Sequence, residues 1–130
     1  MVKGTITALL VGKLDGCLPK LKQCLEELGV KTAFVDQPNK LRVRLRKPNA
    51  PELVFAATEP SDDTWSEVVN VARQTGNQPV IVASRVVDVR KYLDALDRGA
   101  FDFVVPPFAQ QDLRFVVESA IARKLAYDNQ

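Results

Sequence analysis

The stretch that most limits how this chain can fold lies between Pro79 and Phe108. It holds two continuous apolar runs of strand length, PVIVAS at Pro79 to Ser84 and Phe101 to Val105 within GAFDFVVPPF. About fifteen residues with helical spacing separate them. Gly99 can close that helix, and the paired Pro106 and Pro107 stop the second run. Runs of β-branched and aromatic residues suit buried strands, so the unit reads as strand, helix, strand.

The same alternation runs through the rest of the chain. Thr5 to Val11 (TITALLV) is a strand fit for burial on both faces, ended by turn residues at Gly12 to Gly16. Leu18, Leu21, Leu25 and Leu28 recur at helical spacing, with Pro19 in the first turn and Gly29 placed to end the helix. Val30 to Asp36 alternates more, as an edge strand with one wetter face would. Leu53 to Ala57 is a third strand. Ser61 to Arg73 follows as a helix: Ser61 or Thr64 can cap it, Asp62 and Asp63 suit its positive end, and Trp65, Val68, Val69 and Ala72 form its apolar side, with Gly76 and Asn77 after it. Val80 to Ala83 is the fourth strand, Asp88 to Arg98 a helix, Phe101 to Val105 the fifth strand, and Gln110 to Tyr127 a last helix with Leu113, Val116, Val117, Ala120, Ile121 and Leu125 on one face.

Gln37 to Asn49 fits two periods. Leu41, Val43 and Leu45 alternate with Arg42, Arg44 and Arg46 as in a strand, yet Leu41 and Leu45 also share a helix face, and Pro38 suits the start of a helix or a hairpin turn. A short helix is expected, because strands alternate with helices everywhere else and a crossover is needed here. Five strands alternating with five helices imply one α/β domain over residues 1–130, its parallel sheet covered on both faces.

Composition narrows the chemistry. Apolar residues at 46% and charged residues at 26% are the balance of a soluble globular protein, and no run approaches a membrane span. The apolar run before Lys13 is too short for a signal peptide, so a cytoplasmic protein without membrane contact is expected. Cys17 and Cys24, seven residues apart on one helix, would be separated by roughly 10 Å, too far for a disulfide, and read as reduced core thiols. A formal charge of +2 with no histidine rules out histidine-based catalysis and argues against a strong field for nucleic acid. Gly12 and Gly16 match neither a dinucleotide fingerprint nor a phosphate loop, so no cofactor is expected.

Four pieces together carry a family likeness: GAFDFVVPPF followed by Asp112 and Leu113, the strand PVIVAS, the lead-in PELVFAA at Pro51 to Ala57, and the helix ending at Gly29. With these the chain resembles the receiver domain of response regulators in bacterial two-component signalling, over nearly its full length. The resemblance implies a flavodoxin-like three-layer α/β/α sandwich with strand order 2-1-3-4-5 and a site outside the carboxyl ends of the strands. It implies two acidic residues after strand one to hold Mg²⁺, where this chain has Gly12 and Lys13; an aspartate ending strand three, where it has Ala57; and a lysine before the last proline, where it has Pro106. The hydroxyl position after strand four survives as Ser84, and an aromatic stands at the switch position as Phe103.

Phosphoryl transfer at such a site needs a carboxylate nucleophile and a hard cation held by oxygen ligands. Lys13 would repel the cation, and alanine has no nucleophilic atom. A register shift of one would bring in Ala56 or Thr58, and neither supplies a carboxylate. The expectation is therefore a pseudo-receiver: a non-catalytic, phosphorylation-independent signalling or scaffold module that works by protein contact, with a homodimer, another regulator, a kinase or an output domain as partner. The resemblance places Tyr92, Phe103 and Arg114 on the face through which receivers usually dimerise or meet partners. The last helix runs almost to Gln130 and could continue into an output domain.

Other readings weigh less. Lys13 with Asp15 could form an ion pair, although a solvated turn explains both residues. Asp15, Glu59, Asp62 and Asp63 could gather as a makeshift cation site, but helix capping accounts for the last two. Lys40, Arg42, Arg44, Arg46 and Lys47 form the one basic cluster, for which a solvated face is favoured over nucleic acid or an acidic partner because no aromatics interleave it. The alternative function is a small-ligand or nucleic-acid binding domain using the strand-end cleft or the Lys40 to Lys47 segment. An enzyme is disfavoured, since Ser84 has no histidine to activate it.

Overall fold

In the computed structural model, which describes residues 6–13, 16–58 and 64–128, five strands form one sheet: β1 (Thr7–Val11), β2 (Lys31–Val35), β3 (Leu53–Thr58), β4 (Val80–Ser84) and β5 (Asp102–Val104). Their order is β2-β1-β3-β4-β5 and every pairing is parallel. Between and after them run α1 (Leu18–Glu27), α2 (Leu41–Arg46), α3 (Thr64–Thr75), α4 (Val89–Asp97) and α5 (Gln110–Asp128), with a 3-10 turn at Pro38–Lys40 leading into α2. The alternation of five strands and five helices in a parallel sheet is what the strand and helix periods predict, and the 2-1-3-4-5 order and flavodoxin-like arrangement are what the family likeness implies.

Strand alternation sorts the apolar residues into two cores. Ala8 and Leu10 of β1, Leu53 and Phe55 of β3 and Ile81 and Ala83 of β4 pack with Leu18, Leu21 and Leu25 of α1 and Leu113, Val117 and Ala120 of α5. Their strand neighbours Leu9, Val11, Val54, Ala56, Val80 and Val82 face the other way, against Leu41 and Leu45 of α2, Trp65, Val68, Val69 and Ala72 of α3, and Ala95 of α4. The central strands are buried on both faces, which is why they read as unbroken apolar runs.

The ambiguous segment is helical. About 100° of turn per residue brings Leu41 and Leu45 together into the core and sends Val43 outward, 61% exposed, so the alternation with arginine is only a coincidence of spacing. Gly29 ends α1 in the left-handed region at φ +86°, with the Val30 N–H donating to the Leu25 carbonyl at 3.0 Å. After α3 the left-handed residue is Asn77, at φ +55°, rather than Gly76. Cys17 and Cys24 are both buried, as expected for core thiols.

Three expectations need correction. The fifth strand is not buried: it has only three residues, all half-buried, because it is a sheet edge with β4 on one side alone. Leu125 does not join the core face of α5; it is 58% exposed, in a stretch of the helix past the last buried residue, Ala120. The first strand begins at Thr7, since Ile6 is buried but outside the ladder, while Thr5 lies outside the described residues. The caps assigned to Ser61, Asp62 and Asp63 also lie outside the described residues; α3 runs from Thr64 to Thr75.

Candidate functional site

At the carboxyl ends of β1 and β3 the chain closes on itself. Gly12 follows β1 at φ +142°, a conformation that side-chain-bearing residues rarely adopt, and its N–H donates to the Val35 carbonyl at 3.1 Å. A Cβ at this position would stand 2.9 Å from the Ala57 Cβ, closer than real carbons approach. Gly12 and Ala57 thus face each other across the place where the receiver likeness puts one metal ligand and the phosphoacceptor. Lys13 is exposed. The ion pair considered with Asp15 and the cation site of Asp15, Glu59, Asp62 and Asp63 lie outside the described residues. Among the described residues no group of three or more histidine, cysteine, aspartate or glutamate side chains could hold a metal ion.

The next residue of β3 points to the other face. Thr58 is 2% exposed and lies in register with Ser84, the last residue of β4 and equally buried. The Ser84 Oγ accepts from the Val86 N–H at 3.3 Å, turning the chain toward α4. Asp88 caps that helix, its carboxylate accepting from the Lys91 N–H at 3.0 Å, and the Lys91 Nζ donates to the Thr58 hydroxyl at 3.2 Å. Sequence reasoning missed Lys91; only the packing of α4 over β3 and β4 carries its ammonium to the strand ends. Two hydroxyls and an ammonium gathered at the strand ends can orient a polar group. At Pro106 the chain leaves β5 half-buried, and the Pro106-Pro107 bond is cis.

On the β5 flank, Tyr92 and Phe103 do meet, as a T-shaped pair with ring centroids 5.9 Å apart. They line an open depression of about 190 Å³ with Val87, Asp88, Val89 and Val105. Around it Val87 is 76%, Val89 64% and Leu93 58% exposed, an apolar surface unusual on an isolated domain. Arg114 is exposed on α5 and is not among the residues lining this depression, so the expected trio is only partly assembled.

On the β2 flank the basic segment is laid out along α2. Lys40 pairs with Asp36 at 2.8 Å, and this hydrogen-bonded ammonium holds the Asp36 carboxyl below its ordinary 3.8. Arg42 donates to the Gln74 side-chain carbonyl at 3.1 Å, tying α2 to α3. Arg44 is half-buried, whereas Arg46 and Lys47 are exposed. An open depression of about 680 Å³ lies between this segment and β2, lined by Phe34, Val35, Asp36, Asn39, Lys40, Val43 and Arg44. Among the described residues this hollow is larger than the one beside Tyr92.

Among the described residues no helix is long and apolar enough to cross a membrane. No family model matches the chain. Over 63 residues, 48% of this chain, it is 32% identical to the sensory transduction protein LytT of Bacillus anthracis, of which the match spans 25%. Its fold is similar to that of a response regulator receiver domain protein from Clostridium thermocellum, with TM-score 0.76 and 21% identity over 94% of this chain and 98% of that one. A response regulator of Chloroflexus aurantiacus superposes with TM-score 0.76 and 20% identity over 92% and 99%. NtrX of Brucella abortus does so with TM-score 0.77 and 21% identity over 97% of this chain but 29% of its own length.

Proposed function

We propose that this chain is a degenerate receiver: a signalling or scaffold module of the response-regulator type that takes no phosphoryl group and acts through protein contacts. The observation that carries it is the closure of Gly12 on Ala57. Two of the three positions where receiver chemistry needs carboxylates, Gly12 and Ala57, have no side chain beyond one methyl group, and the space for a side chain at Gly12 is already taken. Lys13 beside them places a positive charge where a divalent cation would be needed. The partial sequence likeness to a sensory transduction protein and the shared fold support the family; the emptied site supports the loss of its chemistry.

With the pocket unable to respond to phosphate, the apolar surface around Tyr92 and Phe103 is the feature left to act through, toward another regulator, a kinase, an output domain or a second copy. Incubation with acetyl phosphate and Mg²⁺ followed by intact mass measurement is expected to show no phosphoryl adduct. The Ala57→Asp variant is expected to stay unmodified as well, because the metal ligands are still missing. An adduct on the unaltered chain would overturn the reading. Light scattering across a concentration series tests the homodimer, and a monomer at high concentration assigns the surface to a different protein.

A further inference from the structure

The β2 flank carries a feature that the proposed function does not use. Among the described residues β2 pairs with β1 alone, which leaves the other side of its backbone as an edge of the sheet. The Lys31 N–H bonds to the Ile6 carbonyl and the Val35 carbonyl accepts from Gly12, which turns Lys31, Ala33 and Val35 toward β1. By strand alternation the N–H and C=O of Thr32 and Phe34 point away from the sheet.

Beside the carboxyl end of this edge lies the depression lined by Phe34, Val35, Val43 and Arg44, and a second one of about 410 Å³, lined by Thr7, Arg44, Lys47, Pro48, Asn49 and Pro51, shares Arg44 with it. In this trough between β2 and α2, Phe34 packs on the α1 and α5 side of the sheet, while α2, with Val43 and the cations, lies on the other. From Gln37 to Pro51 there are five basic residues and no acidic one, leaving 13 basic residues elsewhere against all 16 acidic ones.

We infer that this flank is a docking site for an extended, acidic segment of a partner protein, laid beside β2 as a sixth strand. Its backbone would bond to Thr32 and Phe34, alternate apolar side chains would cover Phe34 on one face of the sheet, and the carboxylates between them would face α2 and meet Lys40, Arg44 and Lys47. Charge decides among occupants. A second copy would bring one basic α2 against another, and like charges across an interface are costly. The inference stands apart from the receiver reading, since it uses none of the strand-end residues.

The test titrates the full chain with a synthetic peptide of alternating glutamate and valine, followed by anisotropy and by backbone amide resonances. The expected result is binding that weakens with salt, with shifts and slowed exchange centred on Thr32 and Phe34. Reversing Arg44→Glu together with Lys47→Glu is expected to weaken binding about tenfold or more. Val43→Asp, at an exposed position, is expected to weaken it while leaving the circular dichroism spectrum unchanged. The matching lysine and valine peptide is expected not to bind. Absence of binding by the acidic peptide overturns the inference, as does binding that leaves the β2 amides unmoved. Tighter binding of duplex DNA than of the peptide assigns the trough to nucleic acid, and shifts at Thr32 and Phe34 that grow with protein concentration alone assign it to a second copy; either result overturns it too.

Discussion

β2 and β5 occupy equivalent places at the two rims of one parallel sheet, yet the chain finishes them with opposite chemistry. Along β2 the crossover helix α2 lines the rim with cations over a small apolar floor. Along β5 the β4–α4 connection and α4 offer valines, a leucine and an aromatic pair, with little charge over the ring contact. A sheet rim is a surface that must be covered, charged or used. The strand-end site between them holds Gly12 and Ala57 where the receiver likeness implies carboxylates, and the contrast between the two rims lies in their charge.

The largest effect should separate what α2 does for the core from what it does at the surface. Leu41→Ala, removing a fully buried side chain, is expected to cost about 2–5 kcal/mol, whereas Val43→Ala, two residues away and exposed, should stay within about 0.5 kcal/mol. Urea denaturation measures both, and equal losses would break the separation between a packed face and a docking face. At the other rim the structural element is the start of α4. Asp88→Ala is expected to cost about 1 kcal/mol by removing the carboxylate that accepts from the Lys91 N–H, and Tyr92→Leu, which keeps apolar area but loses the ring pair with Phe103, about 0.5–1.5 kcal/mol. A stability unchanged by either would mean that the β5 flank is held by something else.

The smallest effect is electrostatic. The Lys40 hydrogen bond depresses the Asp36 carboxyl below its ordinary 3.8, and hydrogen bonds from Lys22 and Thr32 do the same to Glu26, whose ordinary value is 4.5. A depressed folded-state value means that each pair adds stability above the ordinary value and loses it as pH falls through the folded one. Both carboxylates are exposed, so the change in stability should be slight. NMR titration should nevertheless find Asp36 rising toward its ordinary value in Lys40→Gln while Glu26 stays put. If Asp36 does not move, the ion pair does not anchor the start of the basic flank.

Much of the architecture could be read from periodicity. The apolar runs from Val80 to Ser84 and from Thr7 to Val11 are strands buried on both faces, and such strands need no polar alternation. The run from Phe101 to Val105 looked the same and was misleading, because an edge strand beneath the Tyr92 ring and beside the apolar α4 approach can be half-covered without being internal. Arg42, Arg44 and Arg46 alternating with leucine and valine were ambiguous for a related reason: residues four apart coincide in both periods, and only the burial of Leu41 and Leu45 beside an exposed Val43 separates them.

The candidate site was half legible. The residue types at positions 12, 13, 57 and 106 already differ from the carboxylates and lysine that the receiver likeness implies. That Gly12 and Ala57 have closed to within contact, that Lys91 reaches Thr58, and that Tyr92 meets Phe103 while Arg114 stands apart depend on elements far apart in the chain.

By itself the sequence determined the order of strands and helices and the residue types at the strand ends, because local propensity and the presence of a functional atom are properties of residues taken in order. Tertiary structure alone decided which strands became rims, which apolar side chains stayed exposed and which cations lined the β2 trough, because those depend on what each face of an element meets once the sheet is assembled.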